Sequence, residues 1–212
     1  MKKKIVSLCL CLALLAVAVI GGTLAYFTDT TDEKQNTFTM GAVDIELDET
    51  SPEKDGYHQG EATDTGFEYK NILPAEKLSK CPVIKVDKDS QDAYVYAELI
   101  VNGYNELYAA LTAADLSPDD LSTLLLNKNL GTGTVIDAWM EEDNFHIVYT
   151  NGIMEAEATW TLFDGIQVPA EFTHDIVKNL GTVELDVKGY AIQASEIKDA
   201  ADGWTKLGVH TA

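Results

Sequence analysis

The stretch Ala93-Tyr94-Val95-Tyr96-Ala97-Glu98-Leu99-Ile100-Val101 decides the fold. Successive side chains of a strand point to opposite faces. Here Ala93, Val95, Ala97, Leu99 and Val101 share one face, and Tyr94, Tyr96, Glu98 and Ile100 share the other. Both faces carry apolar groups, which predicts a central strand covered on both sides. Working outward, Val43, Ile45 and Leu47 alternate with Asp44 and Glu46, the pattern of a strand with one wet face. Thr134 to Met140 and Phe145 to Thr150 read as two strands about the acidic turn Glu141-Glu142-Asp143-Asn144. Asn151-Gly152 reads as a further turn, followed by a strand from Ala156 to Phe163. The last long strand is expected over Thr182 to Ala194. About seven strands with β-branched and aromatic bias predict an all-β, jelly-roll-like β-sandwich.

One segment departs from this period. Ser117-Pro118-Asp119-Asp120 has the form of a helix start, with Ser as N-cap, Pro at the first helical position and carboxylates near the positive end of the dipole. Leu121, Leu124 and Leu125 continue it as a one-sided stripe, and Asn105 to Ala113 is a candidate preceding helix. The expected organisation is a single sandwich domain over 41–212 with a helical insertion at about 104–128, capping one end. The polar stretch Asp48 to Gly66 reads as a long loop.

The chain has 212 residues, enough for one substantial core, with 15 basic against 35 acidic residues and a net charge of −20. Every basic residue is lysine. Nucleic acid is excluded as a partner, since phosphates select dense positive charge and arginine forks. An apolar fraction of 46% is too high for a disordered acidic chain.

Residues 1–25 have the layout of a secretory signal peptide. Lys2, Lys3 and Lys4 form the positive start, Ile5 to Ile20 the apolar run, and Gly21-Gly22 the break. Thr23 and Ala25 then present small residues before a cut at Tyr26. The run is shorter than the roughly 20 residues that span a bilayer, so no membrane association is expected after cleavage. Cys9 and Cys11 leave with this segment. That leaves Cys81 as the lone cysteine, read as a buried thiol, and takes the charge to −23.

Chemistry-bearing motifs are scarce. His58, His146, His174 and His210 are scattered, and no helical zinc-protease pair is present. There is no Gly-x-Ser-x-Gly, no phosphate loop, and no histidine near Cys81 in the sequence. The segment Asp87-Lys88-Asp89-Ser90-Gln91-Asp92 offers Asp87, Asp89 and Asp92 to calcium, but the EF-hand spacing fails, and a solvated acidic turn is the better reading. No cofactor and no catalytic residue are expected. Tyr94, Tyr96 and Tyr108 are equally good as core or as binding aromatics.

Gly21-Gly22-Thr23-Leu24-Ala25-Tyr26-Phe27-Thr28-Asp29, with Asn36-Thr37-Phe38-Thr39-Met40-Gly41-Ala42-Val43-Asp44-Ile45, resembles the TasA/camelysin family. The weaker matches are Leu73-Pro74-Ala75-Glu76, where Ala75 replaces the family's usual glycine, the strand 93–101, and Gly189 to Ala194 with Trp204 beyond. The region 103–180 is unmatched.

The resemblance implies export through the signal peptidase SipW and a jelly-roll sandwich in the extracellular matrix or at the cell surface of a Gram-positive-type bacterium. It also implies assembly into biofilm-matrix fibres, with identical subunits as head-to-tail partners. The donated strand would be the segment 26–40, carrying Phe27, Phe38 and Met40. The camelysin branch is described as metallopeptidase-like, although no ligand spacing here carries that activity. A non-polymerising surface binding module is the third reading.

Overall fold

The computed structural model describes residues 28–30, 43–64, 66–118, 121–131 and 134–210. Its centre is the strand expected from the sequence, β8 (Ala93–Asn102). β8 pairs antiparallel with β11 (Asn144–Met154) on one side and β14 (Glu184–Gln193) on the other. β10 (Val135–Glu141) closes one edge of this sheet against β11, and β1 (Thr28–Thr30) closes the other against β14. Facing it is a three-stranded sheet of β2 (Ile45–Thr50), β7 (Cys81–Val86) and β12 (Thr159–Thr161). The main core fills the space between them: Ala93, Val95, Ala97 and Leu99 from β8 meet Ile45, Ile84, Val86 and Trp160. This is the all-β sandwich that the alternating strands predict.

Four short strands extend the second layer. β3 (His58–Gln59), β6 (Lys77–Ser79), β13 (Gly165–Gln167) and β9 (Leu125–Leu126) form one sheet, and β4 (Glu61–Ala62) pairs with β5 (Phe67–Glu68). The polar stretch read as a loop, 48–66, therefore carries the end of β2, β3 and β4. Its side chains gave no alternation because β3 and β4 are two residues each.

Helix α1 (Tyr104–Ala113) lies where the insertion was expected and buries Tyr104, Leu107, Ala110 and Leu111 in a second core with Phe172 and Val168. The helix expected from Ser117 is instead a single 3-10 turn over Leu121–Leu124. The reason is sheet pairing: Leu125 and Leu126 are claimed by β13 through Leu125↔Ile166 and Leu126↔Gly165. Asn151-Gly152 is likewise not a turn. β11 runs through it with a bulge between Thr150 and Gly152, and Gly152 sits at φ +74°, the left-handed region that glycine enters without strain.

Two helices were not anticipated. In α2 (His174–Asn179) the Thr173 hydroxyl accepts from the Ile176 N–H at 3.2 Å, an N-cap. In α3 (Ala200–Leu207) the Asp199 carboxylate caps the Asp202 N–H at 2.9 Å, and Gly208 ends the helix at φ +65°. α3 lies on the outer face of the five-stranded sheet, where Trp204 joins Tyr96, Val148, Tyr190 and Ile192 in a third core. Gly203 permits this approach, since a Cβ there would press into the Tyr96 hydroxyl.

Candidate functional site

Strand β14 is the site's spine. Its outer edge receives β1 through the register Thr28↔Ile192, Asp29↔Ala191 and Thr30↔Tyr190. This edge follows from the sequence of β14, where Val187, Gly189 and Ala191 face the core while Lys188, Tyr190 and Ile192 face α3. Tyr26, Phe27, Phe38 and Met40, together with the cleavage residues Thr23 and Ala25, lie outside the described residues.

Behind that edge is a buried polar cluster. The Tyr190 hydroxyl donates to Glu98 Oε2, and Glu98 Oε1 lies 2.6 Å from His146 Nδ1. Glu98 is 2% exposed, in the middle of the central strand. A carboxylate survives such burial only when its oxygens are paired. Here one oxygen takes the phenol and the other the imidazole. Because Nδ1 faces the carboxylate, it carries a proton as donor, and the tautomer is thereby fixed. His146 Nε2 is buried with no hydrogen-bond partner, and Glu141 Oε2 lies 3.8 Å from it.

The cluster continues across the sheet. Trp139 of β10 stacks on His146 with ring centroids 4.6 Å apart, and on His210 at 4.1 Å. His210 Nδ1 lies 2.8 Å from Asp137 Oδ2, which also accepts from the Trp204 indole N–H at 3.0 Å. Burial by itself pushes the Asp137 carboxyl up, but the hydrogen bonds from Trp204 and His210 outweigh it and hold it below the ordinary carboxylate value. Two imidazoles, each backed by a carboxylate, thus clamp one indole and tie the segment after α3 to the sheet.

None of this cluster was identified from the sequence as a site. The available signal was Glu98, the one acid among the nine residues 93–101.

The other candidates separate. His58 pairs with Glu76 at 3.0 Å, away from the cluster, and His174 opens α2. Cys81 heads β7 and is half-buried rather than buried. Burial raises its thiol, with Lys54 opposing, which leaves it a protonated and weak nucleophile. In the loop 87–92, Asp87 Oδ1 accepts from the Asp89 N–H at 2.8 Å. Tyr96 is fully buried, Tyr94 partly, and Tyr108 is exposed on α1.

Asp44 stands beside this loop, its carbonyl accepting from the Asp87 N–H at 2.9 Å. Burial, then the charges of Asp87 and Glu46, raise the Asp44 carboxyl. A raised carboxyl costs stability wherever it must ionise in the fold, above its unfolded value. Asp44→Asn is therefore expected to raise Tm at pH 7 and to match the unsubstituted chain below about pH 4. An equal Tm shift at both pH values would assign the effect to packing instead.

Fold and edge define an all-β sandwich protein with an N-terminal edge strand and a buried polar cluster in its largest sheet. Residues 1–54 match the family model described as camelysin metallo-endopeptidase, so the N-terminal quarter of the chain carries the camelysin sequence pattern. No curated protein and no solved structure matches the chain. That family is extracellular or on the cell surface, and no helix of the described residues is long and apolar enough to cross a membrane.

The family's description implies a metal. Among the described residues, no group of three His, Cys, Asp or Glu side chains is placed to hold one. A catalytic zinc centre with three protein ligands therefore does not fit them.

Proposed function

We propose that the chain is a secreted structural protein, an extracellular matrix subunit of the TasA type. Export follows SipW cleavage before Tyr26, and identical subunits join head to tail by exchanging the N-terminal strand. The observation that carries this reading is the pairing of Thr28–Thr30 with β14. A three-residue edge strand contributes few main-chain bonds, so the same segment from a second copy can take its place at little cost. A contact of this kind is heterologous and need not close, which produces filaments.

The test is electron microscopy of protein beginning at Tyr26, at neutral and mildly acidic pH, where part of the self-repulsion of a −23 chain is quenched. Filaments are expected from this form, and only folded monomers from a chain beginning at Gly41. Filaments from the shortened chain would end the strand-exchange reading. Uniform monomers from both would favour a surface binding module or a camelysin-like peptidase.

A further inference from the structure

We propose that the outer edge of β10 is an acceptor for residues 34–42 of a second copy of this chain, which add to the five-stranded sheet as a further strand. The proposal goes beyond exchange at β14, because β10 and β1 are at opposite edges of that sheet. It rests on the head-to-tail reading only for its consequence, a filament.

The edge is open and apolar. Among the described residues no strand pairs with β10 on the side away from β11. Asp137 and Trp139 face α3 and the third core, so Ala138 and Met140 are on the opposite face, toward the second layer. Ala138 is exposed, and so are Met140 at 46% and Val135 at 43%. Of the six large apolar side chains that the described residues leave exposed, two are thus on this seven-residue strand. β12 ends the facing sheet, and that layer continues toward β10 as the loop 128–131. Between loop and strand is a groove of about 500 Å³, lined by Lys128, Leu130, Val135 and Tyr149 among others. The Ala138 N–H bonds the side chain of its own neighbour, Asp137 Oδ1, at 2.9 Å, a local substitute for a partner strand.

Charge selects the occupant. Asp137 and Glu141 are on β10, Glu142 and Asp143 follow, and the strand has no basic residue. An added strand must therefore be free of acid. Residues 34–42, Lys34-Gln35-Asn36-Thr37-Phe38-Thr39-Met40-Gly41-Ala42, hold one lysine and no acid, in a chain with 35 acids. Thr37 and Thr39 alternate with Phe38 and Met40, the period of a strand with one polar and one apolar face. On β10 the apolar pair lies over Val135, Ala138 and Met140. Main-chain bonds supply the affinity and the groove sets the register.

The segment cannot reach the β10 edge of its own copy. The added strand is five spacings of about 4.8 Å from β1, about 24 Å, and the chain must return to Val43 before β2, which packs against β14. The way out and back is therefore about 45 Å, and five paired residues use about 16 Å more along β10. From Thr30 to Val43 the extended chain covers at most about 47 Å. Donor and acceptor are on opposite flanks of the sandwich, so the contact is heterologous and need not close.

The experiment uses nitrogen-15-labelled protein beginning at Tyr26, at a concentration where light scattering shows monomers. It is titrated with a capped synthetic peptide of residues 34–42. The amide resonances of Ala138 and Met140 should shift saturably, with those of Thr28–Thr30 unmoved. Met140→Lys changes an exposed side chain, keeps the fold, and should weaken peptide binding by about tenfold or more. Phe38→Ser with Met40→Ser in the peptide should do the same. A peptide that leaves β10 unmoved at millimolar concentration, or that binds Met140→Lys with full affinity, would overturn the acceptor. Electron microscopy separates this result from the fibre reading. Undiminished filaments from Met140→Lys would end the β10 contact and leave head-to-tail assembly standing. Peptide binding at β10 without filaments from the unsubstituted protein would leave the acceptor standing and end the fibre.

Discussion

Trp160→Ala is expected to lower the unfolding free energy by about 3–5 kcal/mol, the usual cost of truncating a buried tryptophan. Trp160 is 1% exposed in β12 and stands opposite Ile84 in the three-stranded sheet. It belongs to the core formed with Phe163, Leu162 and the inner face of β8. Its indole N–H also donates to the Asn129 carbonyl at 2.6 Å, tying the loop before β10 to the second layer.

Alanine therefore opens a cavity and removes the hydrogen bond to Asn129 together. Stabilities of single domains are about 5–15 kcal/mol, so this is a large part of the total. With a urea slope of about 2 kcal/mol/M, the midpoint should fall by roughly 2 M. Trp160→Phe separates the two effects. It keeps most of the volume and loses the bond to the carbonyl of Asn129, an exposed residue, so the cost should be about 0.5–1.5 kcal/mol, the net worth of an ordinary hydrogen bond. Equal losses in the two variants would make the hydrogen bond the dominant contribution, and a Trp160→Ala loss under about 1 kcal/mol would remove Trp160 from the core.

What the sequence reveals depends on how local the physics is. Strand 93–101 was legible because burial on both faces leaves a run that is apolar or aromatic at every position but Glu98, the last strand because Leu185 and Val187 alternate with Glu184 and Asp186, and α1 lies where Asn105 to Ala113 was read as a candidate helix. The helix start at Ser117 had the correct cap residues, yet Leu125 and Leu126 went to β13, whose residues lie about 40 positions later. Local propensity lost to non-local pairing. Asn151-Gly152 misled for a related reason. A glycine at positive φ serves a bulge as well as a turn, and only the partner strand β8 distinguishes them.

α3 was hidden by composition. Gly203 lies inside it with Asp202 beside it, both poor helix formers, and what stabilises the helix is Trp204 packing on Tyr96 and Tyr190. The polar cluster was invisible for the deepest reason. Glu98 meets His146 across 48 residues and Tyr190 across 92, and no spacing rule joins positions so far apart. The glutamate was readable as an anomaly in an apolar strand, but its partners were not.

Glu98→Ala carries the second large effect, an expected loss of about 3–5 kcal/mol, the range found when one member of a buried pair is removed. The loss arises from what remains. The substitution removes the carboxylate that accepts from the Tyr190 hydroxyl and from His146 Nδ1, two buried groups on β14 and β11 on either side of the central strand.

The converse substitution separates this cost from any intrinsic value of the cluster. Replacing all three polar groups, as Glu98→Leu with His146→Leu and Tyr190→Phe, removes the Glu98 carboxylate together with the two donors it accepts from and should recover most of the loss. Buried ionic sets exchanged for apolar groups of similar volume are often neutral or stabilising. Chemical denaturation of the single and triple variants measures both quantities, and the cycle between Glu98→Ala and His146→Ala should show a coupling of about 0.5–3 kcal/mol.

If the triple variant is as unstable as Glu98→Ala, the cluster stabilises the sheet through its polar contacts rather than merely tolerating its own burial. If the triple variant is stable, the cluster is not needed for folding. A costly glutamate at the centre of the sheet is then explained by what it holds in place: the His146 ring stacked on Trp139, and the Tyr190 side chain on the strand that receives β1.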